Sequence, residues 1–213
     1  MSLANTPRDD VQDVTSRPLP PEPASAPSPT QPAVLEPMGD PGGPSPAASV
    51  RPSARFMRAH PAHWIALAFG AGLSPFAAGT VGTLWAWLVW ALLLSGLSPT
   101  AQAVVVALGV PLAWWAATVT ARHLRTADPG AIVVDEVVAF WIVLWLISPA
   151  SFGAQCAAFA LFRYFDAAKP GPVGWADRLL HGARGWKGGW GIVLDDLVAA
   201  FCTLFVIAVW RAW

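Results

Sequence analysis

The stretch GIVLDDLVAAFCTLFVIAVW (191–210) carries no charge except the adjacent Asp195 and Asp196. A helix needs about 20 mostly apolar residues to cross a bilayer, and this segment has that length. An ionised aspartate at the centre of such a helix costs about 2.5–3.5 kcal/mol on insertion scales. The acid pair therefore needs a physical reason, and the rest of the chain is read outward from it.

Four further runs have related character. VGTLWAWLVWALLLSGL (81–97) and AQAVVVALGVPLAWWAATVT (101–120) have the length and apolarity of spans. AIVVDEVVAFWIVLWLIS (131–148) does too, apart from Asp135 and Glu136, and SFGAQCAAFALFRYF (151–165) is short. HWIALAFGAGLSP (63–75) is too short to cross and reads as a re-entrant or interfacial helix. No alternating barrel pattern is present, and backbone groups in lipid must bond internally, so helices are expected. The chain reads as an all-α, polytopic membrane helix bundle of about 4–5 spanning helices plus that short N-terminal helix. The composition agrees: 55% hydrophobic residues, 12% charged and a mean hydropathy of +0.49, against about 25% charged in ordinary soluble domains.

The chain divides in two. Residues 1–60 hold 13 of the 21 prolines and no tryptophan, whereas all 13 tryptophans lie beyond. Such a segment cannot bury enough apolar surface to offset its ordering entropy and reads as a disordered tail, leaving 61–213 as the membrane-embedded domain. Asp9, Asp10 and Asp13 stand where a signal peptide needs basic and apolar residues. Cys156 and Cys202 fall inside apolar runs as packing residues, too few for a disulfide framework. Zero net charge offers no broad footprint for nucleic acid.

Basic residues set the expected topology. Arg51, Arg55 and Arg58 precede the first span, Arg122 and Arg125 follow the second, and Arg163, Lys169, Arg178, Arg184 and Lys187 flank or fill the connection before the last. The intervening turns SPT and SPA are uncharged. Every second connection is basic, which assigns those connections to the cytoplasm. After residue 60 the acids are Asp128, Asp135, Glu136, Asp166, Asp177, Asp195 and Asp196, all in or near the basic connections. With a helix starting near Ala131, Asp135 and Glu136 should lie roughly 6–9 Å along it, and Asp195 and Asp196 at a similar depth from Gly191.

Carboxylates gathered at one level repel one another unless they take up protons, pair with cations or bind a metal. An oxygen-rich donor set suits a hard divalent ion, Mg2+ foremost, with Asp135, Glu136, Asp195 and Asp196 as ligands. The plain alternative is that the acids cap helix N-termini. In GAGLSPFAAGTVGT (70–83), Gly79, Thr80, Gly82 and Thr83 would offer amides and hydroxyls to a phosphate at a helix start, or else allow close helix packing. Lys169 would add a point charge for a phosphate oxygen, or else snorkel to the headgroups.

Three stretches together resemble the phosphatidylglycerophosphatase A family of bacterial lipid phosphatases: GAGLSPFAAGTVGT (70–83), DPGAIVVDEVVAFWI (128–142), and FRYFDAAKPGPVGWADR (162–178) with the following GGWGIVLDDLVAA (188–200). The resemblance covers about residues 63–213. It implies Mg2+-dependent removal of the terminal phosphate from phosphatidylglycerophosphate at the cytoplasmic face of the bacterial inner membrane, giving phosphatidylglycerol. It also implies Asp128, Asp135, Glu136, Asp166, Asp195 and Asp196 as the acidic centre, with Arg163 and Lys169 as basic partners. The implied partners are the lipid substrate and membrane lipids, without nucleotide. Ala78 stands where the family usually has proline, and HGARGWK (181–187) lengthens the stretch before the final glycines. The alternative class is a membrane cation or proton transporter using clustered carboxylates, against which the acids collect at one face.

Overall fold

The computed structural model describes residues 52–126 and 129–213. Asp128 and most of the 1–60 stretch lie outside the described residues; the part from Pro52 onward is described and carries the first helix. The described chain is all-helical, with no strand among the described residues. Helix α1 spans Ala54–Arg58 and α2 Pro61–Ala66. A 3-10 segment, Ala68–Leu73, follows and breaks at Phe69 and Gly70, both at positive φ. Next come α3 (Ala78–Val89), continued by a π-helical turn over Trp90–Leu94, and α4 (Pro99–Leu124). The remaining helices are α5 (Val134–Ile147), α6 (Phe152–Ala168), α7 (Pro172–Leu179) and α8 (Trp186–Ala212).

The uncharged turns are helix starts. Ser98 Oγ accepts from Ala101 N at 3.3 Å, with Pro99 in the first turn of α4, and Ser151 Oγ accepts from Ala154 N at 3.3 Å at the head of α6. Helix α8 packs against α4, α5, α6 and α7. Its approach to α4 depends on Gly189, where an added Cβ would collide with Thr118. Phe140 and Phe162 are fully buried in the largest apolar cluster, joined there by Ala199 and Ala200 of α8. Trp141 Nε1 donates to the Ala86 carbonyl at 2.9 Å and Trp87 Nε1 to Gln155 Oε1 at 2.7 Å, satisfying polar tips between helices.

Two helices are long and apolar enough to cross a membrane, Pro99–Leu124 and Trp186–Ala212, and Ala78–Leu94 is a shorter apolar helix. Of the 4–5 spans expected from the sequence, two have the length and apolarity to cross among the described residues, and the other helices are shorter. With 14 residues, α5 is only about 21 Å long. Its β-branched approach, Ile132–Val133, stays outside the helix, and Val133 N bonds the Ala66 carbonyl at 2.9 Å. The outward surface is apolar in register: Leu84, Leu88 and Leu92, then Val104, Leu108 and Leu112, then Phe201, Phe205 and Val209 are exposed at four-residue intervals. The same helices turn Thr83, Thr118 and Thr203 inward. Apolar rows of this kind on the outside suit a lipid-facing surface and are disfavoured by water.

The helix ends also shift the acid depths expected from the sequence. Asp135 and Glu136 sit in the first turn of α5, because that helix starts at Val134 instead of Ala131. Asp195 and Asp196 lie in the third turn of α8, because α8 begins at Trp186, before its glycines.

Candidate functional site

The starts of α3 and α5, the last turns of α6 and the third turn of α8 come together at one end of the bundle. Asp135 and Asp196 are buried there, and Glu136 is partly so. Each of these three offers one carboxylate oxygen, and the three oxygens lie within 4.8 Å of one another. Asp135 Oδ1, Glu136 Oε2 and Asp196 Oδ2 are buried with no hydrogen-bond partner among the described residues. Three converging carboxylates, each with a buried oxygen that lacks a protein donor, are costly to bury unless a cation or protons balance them.

Asp195 faces elsewhere, since adjacent residues on a helix point about 100° apart. It accepts from Lys169 Nζ at 2.6 Å, and the same ammonium binds Asp177 of α7. Lys169 sits one residue past α6 in the left-handed conformation, immediately before Pro170, which turns the chain toward α7. Burial opposes its charge, but the hydrogen bonds to Asp177 and Asp195 outweigh burial and hold its pKa above the usual lysine value. It stays protonated across physiological pH.

On the other flank, Arg163 pairs with Asp166 one turn further along α6. Its Nη1 lies 3.9 Å from Glu136 Oε1 and 3.5 Å from Thr83 Oγ1. Gly79, in the first turn of α3, lies against both groups: a Cβ there would run into Glu136 Oε1 and come within 3.1 Å of Arg163 Nη1. The other members of the glycine-threonine stretch differ. A Cβ on Gly82 would lie 2.7 Å from Val133 Cβ, so Gly82 serves packing between α3 and the approach to α5. Thr83 is fully buried and donates to the Gly79 carbonyl at 2.9 Å, while Thr80 is partly buried nearby.

The cavity at this end has a volume of about 180 Å³. Asp135, Glu136, Asp166, Asp177, Asp195 and Asp196 line it, against a single ammonium from Lys169. The excess of carboxylate over cation, the buried unpartnered oxygens and the absence of sulfur or imidazole in the cluster of three fit a hard divalent ion held by Asp135, Glu136 and Asp196. Of the residues singled out from sequence, the structure therefore gathers Asp135, Glu136 and Asp196 as one group and Asp195 with Lys169 as a second. Arg163 and Asp166 flank the first, with Gly79 at its edge.

Two lining residues stand outside the site read from the sequence. Asp177 and His181 both face the cavity. The lengthened 181–187 stretch obscured their register, although Asp177 lies in α7, eight residues beyond Lys169, which an α6–turn–α7 hairpin brings back over the site.

The comparisons with known proteins bear on what such a site does. A family model described as Phosphatidylglycerophosphatase A matches residues 64–211. Phosphatidylglycerophosphatase A of Escherichia coli (strain K12) is 37% identical over 145 residues, 68% of this chain and 80% of that protein. The protein of the same name from Haemophilus influenzae is 36% identical over 154 residues, 72% of this chain and 91% of that one. A Bacteroides thetaiotaomicron protein, provisionally named a phosphatidylinositol-3-phosphatase, is 38% identical over 152 residues, 69% of this chain and 91% of its own. No solved structure matches.

Proposed function

This chain belongs to the phosphatidylglycerophosphatase A family and is a phosphatase, and from that premise we propose that it hydrolyses the terminal monoester of phosphatidylglycerophosphate in a Mg2+-dependent reaction, releasing phosphatidylglycerol and inorganic phosphate. The observation that carries the reading is the convergence of Asp135, Glu136 and Asp196 on one point, each with a buried oxygen lacking a donor among the described residues. Asp135, Glu136 and Asp196 would hold the ion, with Asp195 fixing Lys169 beside them. When bound, a divalent cation supplies positive charge that offsets the phosphate oxygens and lowers the pKa of water.

The chain's own groups do the rest. Lys169, kept protonated by Asp177 and Asp195, presents a fixed positive charge to the monoester. Arg163, braced by Asp166 and beside Glu136, offers its guanidinium to a second phosphate oxygen. Asp166 would orient the attacking water or act as its general base; Asp128, the alternative for that role, lies outside the described residues. Gly79 keeps the α3 terminus close enough for its amides to reach the equatorial oxygens.

The setting is the bacterial cytoplasmic membrane, crossed several times, with the site at the cytoplasmic face. The exposed leucine, valine and phenylalanine rows support insertion, and the basic connections at the site's end support the orientation. A lipid monoester at headgroup level would then meet the carboxylates without leaving the bilayer. Family membership does not favour the transporter alternative, and the carboxylates named here stay at one end of the bundle.

The deciding experiment is phosphate release by the purified protein in detergent, with phosphatidylglycerophosphate and phosphatidylinositol 3-phosphate as parallel substrates. The expected result is release from the first, abolished by EDTA and restored by Mg2+. Preferential release from the second would transfer the reading to the lipid named for the Bacteroides relative.

A further inference from the structure

Next to the carboxylate cavity lies a second one of about 290 Å³ with the opposite charge. Arg122 and Arg125 from the end of α4 and Arg184 from the turn before α8 line it, with no carboxylate among its described lining residues. None of the three arginines makes an ion pair among the described residues, whereas Arg163 and Lys169 both do. The two cavities share Ala183 and Gly188 in their walls, so they are neighbours across a single strip of backbone.

The basic cavity is also built to keep its shape. The Arg122 guanidinium lies over the Trp186 ring, 5.7 Å from its centroid. Trp114 Nε1 donates to the Trp186 carbonyl at 2.8 Å, tying α4 to the start of α8. A Cβ at Gly185, which adopts φ 67, would come within 3.2 Å of Arg122 Nη2, so glycine leaves room for that guanidinium. A planar, pre-positioned guanidinium is suited to a phosphate oxygen pair.

We propose that this arginine cavity binds the internal phosphodiester of the lipid substrate while the terminal monoester occupies the carboxylate site. The proposal rests on the lipid phosphatase reading above and adds to it the determinant of substrate choice. Phosphatidylglycerophosphate carries two phosphates separated by one glyceryl unit, and the structure offers two adjoining pockets of different chemistry. The monoester goes where a cation and a water can act on it. The diester, which must survive, goes where only arginines meet it. A lipid with one phosphate, such as phosphatidic acid, cannot fill both. Selection therefore comes from the second phosphate.

The experiment compares wild type with Arg122→Gln, Arg125→Gln and Arg184→Gln in neutral detergent, by two readouts. In the first, KM is measured for phosphatidylglycerophosphate and for phosphatidic acid. Each substitution is expected to raise the ratio of the first KM to the second about tenfold, the loss of one charge-assisted contact. Equal effects on both lipids, or none, would overturn the proposal and leave the arginines as general headgroup contacts. In the second, retention of labelled phosphatidylglycerol is measured without turnover. Wild type is expected to bind it and the variants to bind it about tenfold more weakly, with no displacement by inorganic phosphate at equal concentration. Displacement by inorganic phosphate would make this a free-phosphate site and overturn the proposal. Arg184→Gln, outside the Trp186 contact, guards against a folding defect in Arg122→Gln. The readouts also separate the two claims: arginine-dependent lipid binding with no phosphate release from either lipid would sink the activity and spare the pocket.

Discussion

The acidic pairs Asp135–Glu136 and Asp195–Asp196 look alike in the sequence and behave differently in the fold. Both members of the first pair stay together, because they open a helix and both face α8 or α6. The second pair splits, because Lys169 at the end of α6 meets Asp195 while the start of α5 meets Asp196. Asp196 joins the three-oxygen group, and Asp195 turns to Lys169. Two adjacent carboxylates can thus do two jobs, one toward an ion and one toward a lysine, and the division is set by the neighbours that the fold supplies.

The sharpest way to break this comparison is to neutralise each acid in turn. Asp196→Asn and Asp135→Asn should each lower kcat/KM for phosphatidylglycerophosphate by about two to three orders of magnitude, since a metal's charge stabilisation is worth several kcal/mol and 1.36 kcal/mol is a decade. Steady-state assays on membrane-inserted protein check this, and near wild-type rates in both would remove the cluster from the chemistry. Asp195→Asn should cost less, about 10–100-fold, as is usual for a partner that positions a charged group. If it matched Asp196→Asn, the division of labour would be wrong. Asp177→Asn should cost least, at most about tenfold, because Asp195 still holds the Lys169 ammonium. Lys169→Met should then make the Asp177 substitution silent, and a double-mutant cycle measures that coupling.

Stability should move the other way. In EDTA, Asp196→Asn removes one of three crowded carboxylates, so the variant should melt higher than wild type by about 2–4 °C for each kcal/mol of repulsion relieved. Saturating Mg2+ should reverse the order. An unchanged order in both conditions would mean the carboxylates do not share an ion.

The apolar runs marked α3, α4, α6 and α8, since hydrophobic runs of 15 to 20 residues are visible without tertiary knowledge. Helix boundaries were less legible. Ala131 to Val133 continues the apolar run, yet Val133 is drawn into a backbone bond with Ala66, which delays α5 until Val134. The sequence reading counts the depth of Asp195 and Asp196 from Gly191, yet α8 starts at Trp186, where Gly189 lets it approach Thr118 of α4 and a Cβ at Gly188 would strike the Ala183 carbonyl. Helix α7 is too short for a periodic signal, so Asp177 could not be placed over the site. The glycine-threonine stretch shows the same limit from the other side: Gly79 borders the carboxylates, whereas Gly82 and Thr83 are occupied by packing. Sequence spacing cannot tell those uses apart, because the distinction depends on which neighbour the fold supplies.

The central claim is that a divalent ion sits between α5 and α8, and direct binding of Mn2+ tests it without reference to turnover. Electron paramagnetic resonance of purified protein in detergent, titrated with Mn2+ as a probe for Mg2+, should show saturable binding in wild type that is lost in both Asp135→Asn and Asp196→Asn and kept in Asp177→Asn. Equal binding by wild type and the two cluster variants would contradict the account.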